Sequence, residues 1–312
     1  MEEVAVILAA PYAEAIGSVK ANGPPTFAYY TDASTASSIL QNSEIWMRNA
    51  SLMNDHSEIA YGIERIIASF KKETTFGSAL SDAGERLGHD LFADFASTFD
   101  RWIDDLRDNT FLTCISLHDD DENQYGRLSM WRAYAPKNGV ALLIDSTPML
   151  RTEDRIGIYS TPVFYWSDEK AKAHFDEMAK QLEKIFLKMS LKEWPGVKLT
   201  IIELLRVFAL SIKHPGFAEE KEWRVYYRPS ENQSKYITSC VESVGGIPQT
   251  IQKLQLVEEV DTSVRQLFKR VIIGPSEHQH HLASTFVEIL SNAGVEQASS
   301  KVIASTIPLR NS

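Results

Sequence analysis

Cysteine, long apolar runs and positive charge are the three things this sequence has little of, and each shortage narrows what it can be. Its 312 residues hold two cysteines, Cys114 and Cys240, and no CxxC pair. Two distant thiols make neither a disulfide framework nor a zinc ribbon, so a reduced, intracellular setting is expected. No apolar run approaches the roughly 20 residues that a bilayer crossing needs. The opening Met1-Glu2-Glu3 has the wrong charge for a secretory signal. A cytoplasmic protein with no membrane partner is the expectation. Lys and Arg number 32 against 42 Asp and Glu, a formal net charge of -10. An acidic surface is repelled by phosphate backbones, which argues against non-specific nucleic-acid binding. Also missing are GxGxxG, P-loop, GxSxG and HExxH patterns, so no ready-made signature names a chemistry.

What is present is an ordinary globular composition, 44% hydrophobic and 24% charged. A chain of this length can bury about three quarters of its unfolded surface. Residues 1–22 are Ala-rich and read as a helix closed by Asn22-Gly23-Pro24-Pro25. Strand signals follow at 26–31, 44–48, 110–117, 139–145, 160–166, 222–228, 250–257 and 269–273, with a final strand running to Pro308-Leu309-Arg310. Helical spacing is seen at 32–40, at 59–70, as one long stripe from Leu80 to Leu106, at 130–134, 168–190 and 197–213, and from Ser276 to Gly294. Strands at both ends with helices between them, and no linker, predict an α+β fold: one domain over 26–312 with a mixed, mostly antiparallel sheet core. Residues 1–25 are expected to be a helical extension, and 58–107 and 168–213 helical insertions.

The most informative stretch runs from His214 to Pro229. Read as a strand, it places Glu220, Glu222, Arg224, Tyr226 and Arg228 on one face and Lys221, Trp223, Val225 and Tyr227 on the other. The second face is a core face. The first is polar throughout and is expected either to meet water or to line a cleft. Glu220 and Glu222 would sit about 6.6 Å apart, from a rise of about 3.3 Å per residue. Two carboxylates so placed can divide acid and base roles, because a like charge and burial push their pKa values apart. Arg224 would hold an anionic substrate or pair with Glu222.

Other candidates are weaker by spacing alone. Asn54-Asp55-His56-Ser57-Glu58 is a polar cluster at a helix mouth, readable as capping or as part of a site. Tyr29 and Tyr30 are neighbours on a strand, so one faces in and one out. Trp131 and Tyr134 share a helical face. His278 and His281 are one turn apart, as an exposed first turn or a metal pair. His118 and His214 have no local partner. No metal-ligand set is expected.

Taken in order, several segments resemble the bacterial domain-of-unknown-function family DUF2971: Tyr29-Tyr30-Thr31, Glu44-Ile-Trp-Met47, Asn54-Asp55 with Glu58, Cys114-Ile-Ser116, Met130-Trp-Arg-Ala-Tyr134, Gly139-Val140, Lys213 with Phe217-Ala-Glu-Glu-Lys-Glu-Trp-Arg224, Val271-Ile-Ile-Gly-Pro275 and Ser305-Thr-Ile-Pro-Leu-Arg310. The resemblance covers roughly 26–310. The layout is also similar to that of ADP-ribosyltransferases, a resemblance that implies NAD as the substrate and a protein or nucleic-acid acceptor, in a defence or toxin-type effector. In that pattern Glu220-Lys221-Glu222 matches the Glu-x-Glu signature, with Glu222 in the catalytic place and Glu220 as its partner. Ser116 or Tyr134 takes the middle position. Tyr29 fills the early position, where a histidine is more usual. Tyr29, Tyr30, Ser116, Trp131, Tyr134, Arg224 and Asn54 would form the NAD-binding set.

Two other readings compete. Glu219-x-Lys221 with Asp55 could imitate a metal-dependent nuclease, although Glu219 and Lys221 would then share the Trp223 face. A non-catalytic ligand or protein docking module is the other, and a salt-bridged Glu222 would favour it.

Overall fold

In the structure, a computed structural model, residues 1–21, 23–53, 57–150 and 155–308 are described, without the side chains of Ser57 and Glu58. The chain begins with α1 (Glu2–Lys20), β1 (Thr26–Asp32), α2 (Ala33–Asn42), β2 (Glu44–Asn49), α3 (Ser57–Ser69), α4 (Thr75–Leu87) and α5 (Leu91–Asp108). It continues with β3 (Phe111–His118), α6 (Leu128–Tyr134), β4 (Gly139–Asp145), β5 (Tyr159–Pro162), β6 (Phe164–Tyr165), α7 (Asp168–Phe186), α8 (Trp194–Ser211) and β7 (Ile212–Lys213). It ends with β8 (Glu222–Tyr227), β9 (Ile237–Val244), β10 (Ile247–Gln255), α9 (Val264–Leu267), β11 (Phe268–Ile273), α10 (Gln279–Asn292), α11 (Ala298–Lys301) and β12 (Val302–Ala304). These elements make the expected α+β fold with a mixed, mostly antiparallel sheet. Their packing groups them into two compact units.

One unit comprises Met1–Ser18, Asn49–Thr110 and Thr161–Ala218 and is mainly helical. Its centre is aromatic: Phe70, Phe76, Phe95, Phe175 and Phe208 are buried and meet in edge and tilted pairs, such as Phe70–Phe76 at 4.4 Å. The single stripe expected from Leu80 to Leu106 is two helices instead. Gly88 adopts φ +67° and closes α4, and the Asp90 carboxylate accepts the Ala93 N–H at 2.9 Å to start α5. A glycine in the left-handed region followed by an acidic cap stops one helix and starts another without breaking the apolar spacing.

The other unit comprises Val19–Arg48, Phe111–Ser160 and Glu219–Ser312. It carries a ten-stranded sheet of order β12-β11-β4-β1-β3-β2-β10-β9, with β8 pairing β3 and β5 pairing β8. Among the described residues β11 and β12 pair in parallel, whereas β1–β3, β1–β4, β2–β10, β9–β10, β4–β11 and β3–β8 pair antiparallel. Between β9 and β10 lie Gly245 and Gly246, both at positive φ, as the tight hairpin turn demands. The sequence reading passed over β9. It is an edge strand with a mostly exposed, polar-rich pattern, so hydrophobicity hides it and the Gly-Gly pair is its only local signal. The last long helix begins at Gln279 rather than at Ser276, whose hydroxyl accepts the His278 N–H.

Trp223, Val225 and Tyr227 are buried, as the alternation requires. The opposite face is a correction: Glu222, Arg224, Tyr226 and Arg228 are buried as well, at 6%, 1%, 7% and 1% exposure. The polar face of β8 therefore does not meet water: both faces of this strand are packed, while its edges are paired to β3 and β5. Its charges are offset locally, Arg224 by Glu222 and Arg228 by Glu231.

Candidate functional site

In the antiparallel ladders Ala28 of β1 lies opposite Ser116 of β3, and Ser116 lies opposite Glu222 of β8. Directly opposed residues share a sheet face. Period-two alternation adds Tyr30 and Arg224 to it. The short helix α6 packs on this face, with Met130 and Trp131 among Ala28, Tyr30, Ala141 and Leu143. Tyr30 meets Trp131 edge-on at 4.8 Å, and its oxygen accepts the Arg127 N–H at 2.9 Å. Burial pushes the Tyr30 phenol up to about 12, against the lowering pull of that N–H, so it stays neutral.

Trp131 in turn donates from Nε1 to the Tyr125 carbonyl at 2.8 Å. The turn between them needs Gly126, which sits at φ +69° and leaves no room for a Cβ, since one would fall 2.5 Å from the indole. Gly126→Ala is therefore expected to cost about 2–3 kcal/mol, from left-handed strain and overpacking together. Urea unfolding checks it; a change of less than about 0.5 kcal/mol would show that α6 is not seated as described.

The two signature glutamates do not share a strand. Glu220 ends a 3-10 turn and β8 starts at Glu222. Lys221 between them has φ +45°, which breaks the period-two alternation on which the 6.6 Å estimate rested. Glu220 is half-buried, and its Oε1 accepts the hydroxyl of exposed Tyr134 at 2.9 Å. Glu222 is held through Oε1 by Arg224 Nε at 2.8 Å. The site thus has a solvent-reached carboxylate on a phenol and a buried carboxylate on a guanidinium.

Below them lies a buried pair that sequence reasoning missed. Arg127 grips Glu122 with Nε on Oε1 at 2.6 Å and Nη2 on Oε2 at 2.8 Å. Glu122 belongs to the acidic run Asp119-Asp120-Asp121-Glu122. It is buried because a capping box turns it inward onto the Asp119 N–H. That Asp-x-x-Glu spacing was the available signal.

His118 is buried beside this pair, with Nδ1 3.7 Å from Glu122 Oε2. Neither ring nitrogen has a hydrogen-bond partner among the described residues. Burial holds its pKa below the ordinary 6.5, only partly opposed by Glu122 and by the nearby Asn123 side chain. The unfolded chain therefore takes up this proton first as pH falls, and stability drains away below about pH 6.5, by up to about 1.4 kcal/mol per pH unit. His118→Gln is expected to flatten the stability profile between pH 7 and 5. Parallel profiles for variant and wild type would refute the assignment.

The remaining candidates scatter. Tyr29 points to the other face, where it hydrogen-bonds Thr113 and has its pKa raised chiefly by burial. It lines a cavity of about 30 Å³ with Ile45, Ile115, Val225 and Leu254, and Glu222 is not among the lining residues. Tyr29 and Tyr30 thus cannot shape one pocket together. Asn54 and Asp55 lie outside the described residues. Glu219 and Lys221 are exposed rather than on the buried Trp223 face, and Lys221 pairs with Asp119. Among the described residues no group of three or more His, Cys, Asp or Glu is placed to hold a metal ion. His214, His278, His280 and His281 are exposed. No helix among the described residues is long and apolar enough to cross a membrane.

Fold and site together define an α+β protein that presents a carboxylate–phenol pair at the β3–β8 junction beneath a short aromatic helix. Residues 130–225 match the family described as a protein of unknown function, DUF2971, and over that stretch the chain is similar to this family. The match begins in α6 and ends in β8, so it contains Trp131, Tyr134, Glu220, Glu222 and Arg224. No curated protein and no solved structure matches the chain.

Proposed function

We propose that this site cleaves the nicotinamide–ribose bond of NAD and transfers ADP-ribose, in the manner of ADP-ribosyltransferases. The observation that supports it is convergence: Tyr30, Ser116 and Trp131 come to the sheet face that carries Glu222, and Tyr134, on the helix packed there, meets Glu220. Cleaving an N-glycosidic bond builds oxocarbenium character on the ribose, as in glycoside hydrolysis. A fixed buried carboxylate stabilises that charge more strongly than one in water. Glu222, oriented by Arg224, is suited to that role. Glu220, reached by solvent and held by Tyr134, is suited to orient or deprotonate the acceptor. Tyr29, on the opposite face of the sheet, has no part in this version of the site.

The test is nicotinamide release from NAD by the purified protein, with and without cell extract as a source of acceptor, beside calorimetric NAD binding. Release above the uncatalysed rate supports the reading. Neither binding nor release, even with extract, would sink it. A second reading, a non-catalytic docking module, is favoured by one specific observation, the burial of Glu222 in an ion pair with Arg224. It gains ground if Glu222 proves to matter only for stability.

A further inference from the structure

Lys221 is a non-glycine residue at φ +45°, a backbone state that an L-residue adopts only when its surroundings hold it there. Those surroundings are explicit. The carbonyl of Glu220 accepts two donors, Ser116 Oγ at 2.6 Å and Arg127 Nη1 at 3.0 Å. The carbonyl of Lys221 accepts the Leu117 N–H at 2.8 Å, and the Lys221 ammonium pairs with Asp119. Arg127 reaches the same place a second time, with Nη2 on the Leu117 carbonyl at 2.7 Å. Its Nε and the second hydrogen of Nη2 go to Glu122, and both side chains of that pair are nearly buried. Arg127 therefore ties the end of β3, the acidic capping box and the backbone just ahead of β8 into one rigid joint.

The consequence is directional. With Lys221 extended, Glu220 would continue the strand alternation and project from the same face as Glu222. With Lys221 left-handed, the Glu220 carboxylate meets Tyr134 instead. We infer that Arg127 is a positioning residue: by clamping the Glu220 and Leu117 carbonyls it holds the left-handed Lys221 and so aims the Glu220 carboxylate at Tyr134. An arginine is required, because four bonds to three acceptor groups leave from one planar fork, which a lysine ammonium cannot reproduce. The geometric part stands on its own, and only its effect on turnover rests on the NAD reading above.

Arg127→Lys keeps the charge and removes the fork. Two readouts separate the inference from the proposed reaction. The first needs no substrate: in NMR of tyrosine-labelled protein, the Tyr134 ring signal should move to the position that it takes in Glu220→Ala, which has no acceptor for its hydroxyl. Hydrogen exchange of the Leu117 amide should speed up by about tenfold or more, since that bond loses its clamp, while amides of the β1–β4 ladder stay unchanged. The second is kinetic: kcat for nicotinamide release should fall by about 10- to 100-fold with KM within about twofold, as for a misaimed but still present group. If the spectroscopic changes occur and wild type does not consume NAD, the positioning role stands and the reaction assignment falls. If the Tyr134 signal and the Leu117 amide are unchanged in Arg127→Lys, the inference is overturned whatever the kinetics. Should Arg127→Lys fail to fold, Arg127→Gln, which keeps one short donor group and removes the fork, carries the same two spectroscopic readouts. Unchanged signals there overturn the inference equally.

Discussion

Glu222→Gln is expected to lower nicotinamide release from NAD by at least about a hundredfold, the usual scale for removing one fixed electrostatic group from a developing charge. Glutamine keeps the size and an oxygen that still accepts the Nε–H of Arg224, so the protein should stay folded. It loses the negative charge opposite that buried guanidinium, so a cost of up to about 3–5 kcal/mol is expected in unfolding, lessened by the hydrogen bond that remains. The two effects are separable by assaying well below the unfolding midpoint. The Glu220→Gln loss should be smaller with a water acceptor, if Glu220 serves the nucleophile rather than the ribose cation. Turnover by Glu222→Gln at the wild-type rate would remove Glu222 from the chemistry and leave its ion pair as its whole purpose.

Arg224→Leu is the second large effect. Arg224 is 1% exposed, and Glu222 beside it is 6% exposed. Taking away the guanidinium leaves a buried carboxylate without that counter-charge, a change that costs about 3–5 kcal/mol. Removing both charges, as Glu222→Leu with Arg224→Leu, should recover most of the loss, because burying a pair and burying neither differ much less than burying one. Urea unfolding of the four proteins closes the cycle. A coupling below about 0.5 kcal/mol, the range of an exposed pair, would show that the pair is solvated and that the polar face of β8 opens to water after all. A strong coupling is compatible with either function. The pairing of this cycle with the Glu222→Gln assay is what divides a catalytic carboxylate from a structural one.

The core face of β8 was legible because Trp223, Val225 and Tyr227 alternate, and alternation is a local property of an extended chain. The α+β class was legible for a similar reason, as helical and strand periods are written in each segment separately. The break between α4 and α5 could have been read from Gly88 and Asp90, but the apolar spacing runs straight through it. Spacing records which face is buried, not whether the backbone continues.

The candidate site was legible as a set of residue types and not as a geometry. Chemistry-bearing side chains at Ser116, Tyr134, Glu220 and Glu222 can be picked from the sequence, and Tyr29 and Tyr30 can be placed on opposite faces by counting. Three things were decided only by tertiary structure. The polar face of β8 is buried like its core face, and no count along one strand reveals what packs over it. Glu220 leaves the strand because distant donors, Ser116 and Arg127, hold a left-handed lysine that local propensity would never choose. Glu122 is buried because the chain folds its capping box back onto Arg127, and a solvated acid and a buried one look alike until their partner is known. Sequence by itself determined which side chains are available. Long-range pairing decided which of them lost water, and so which can act together.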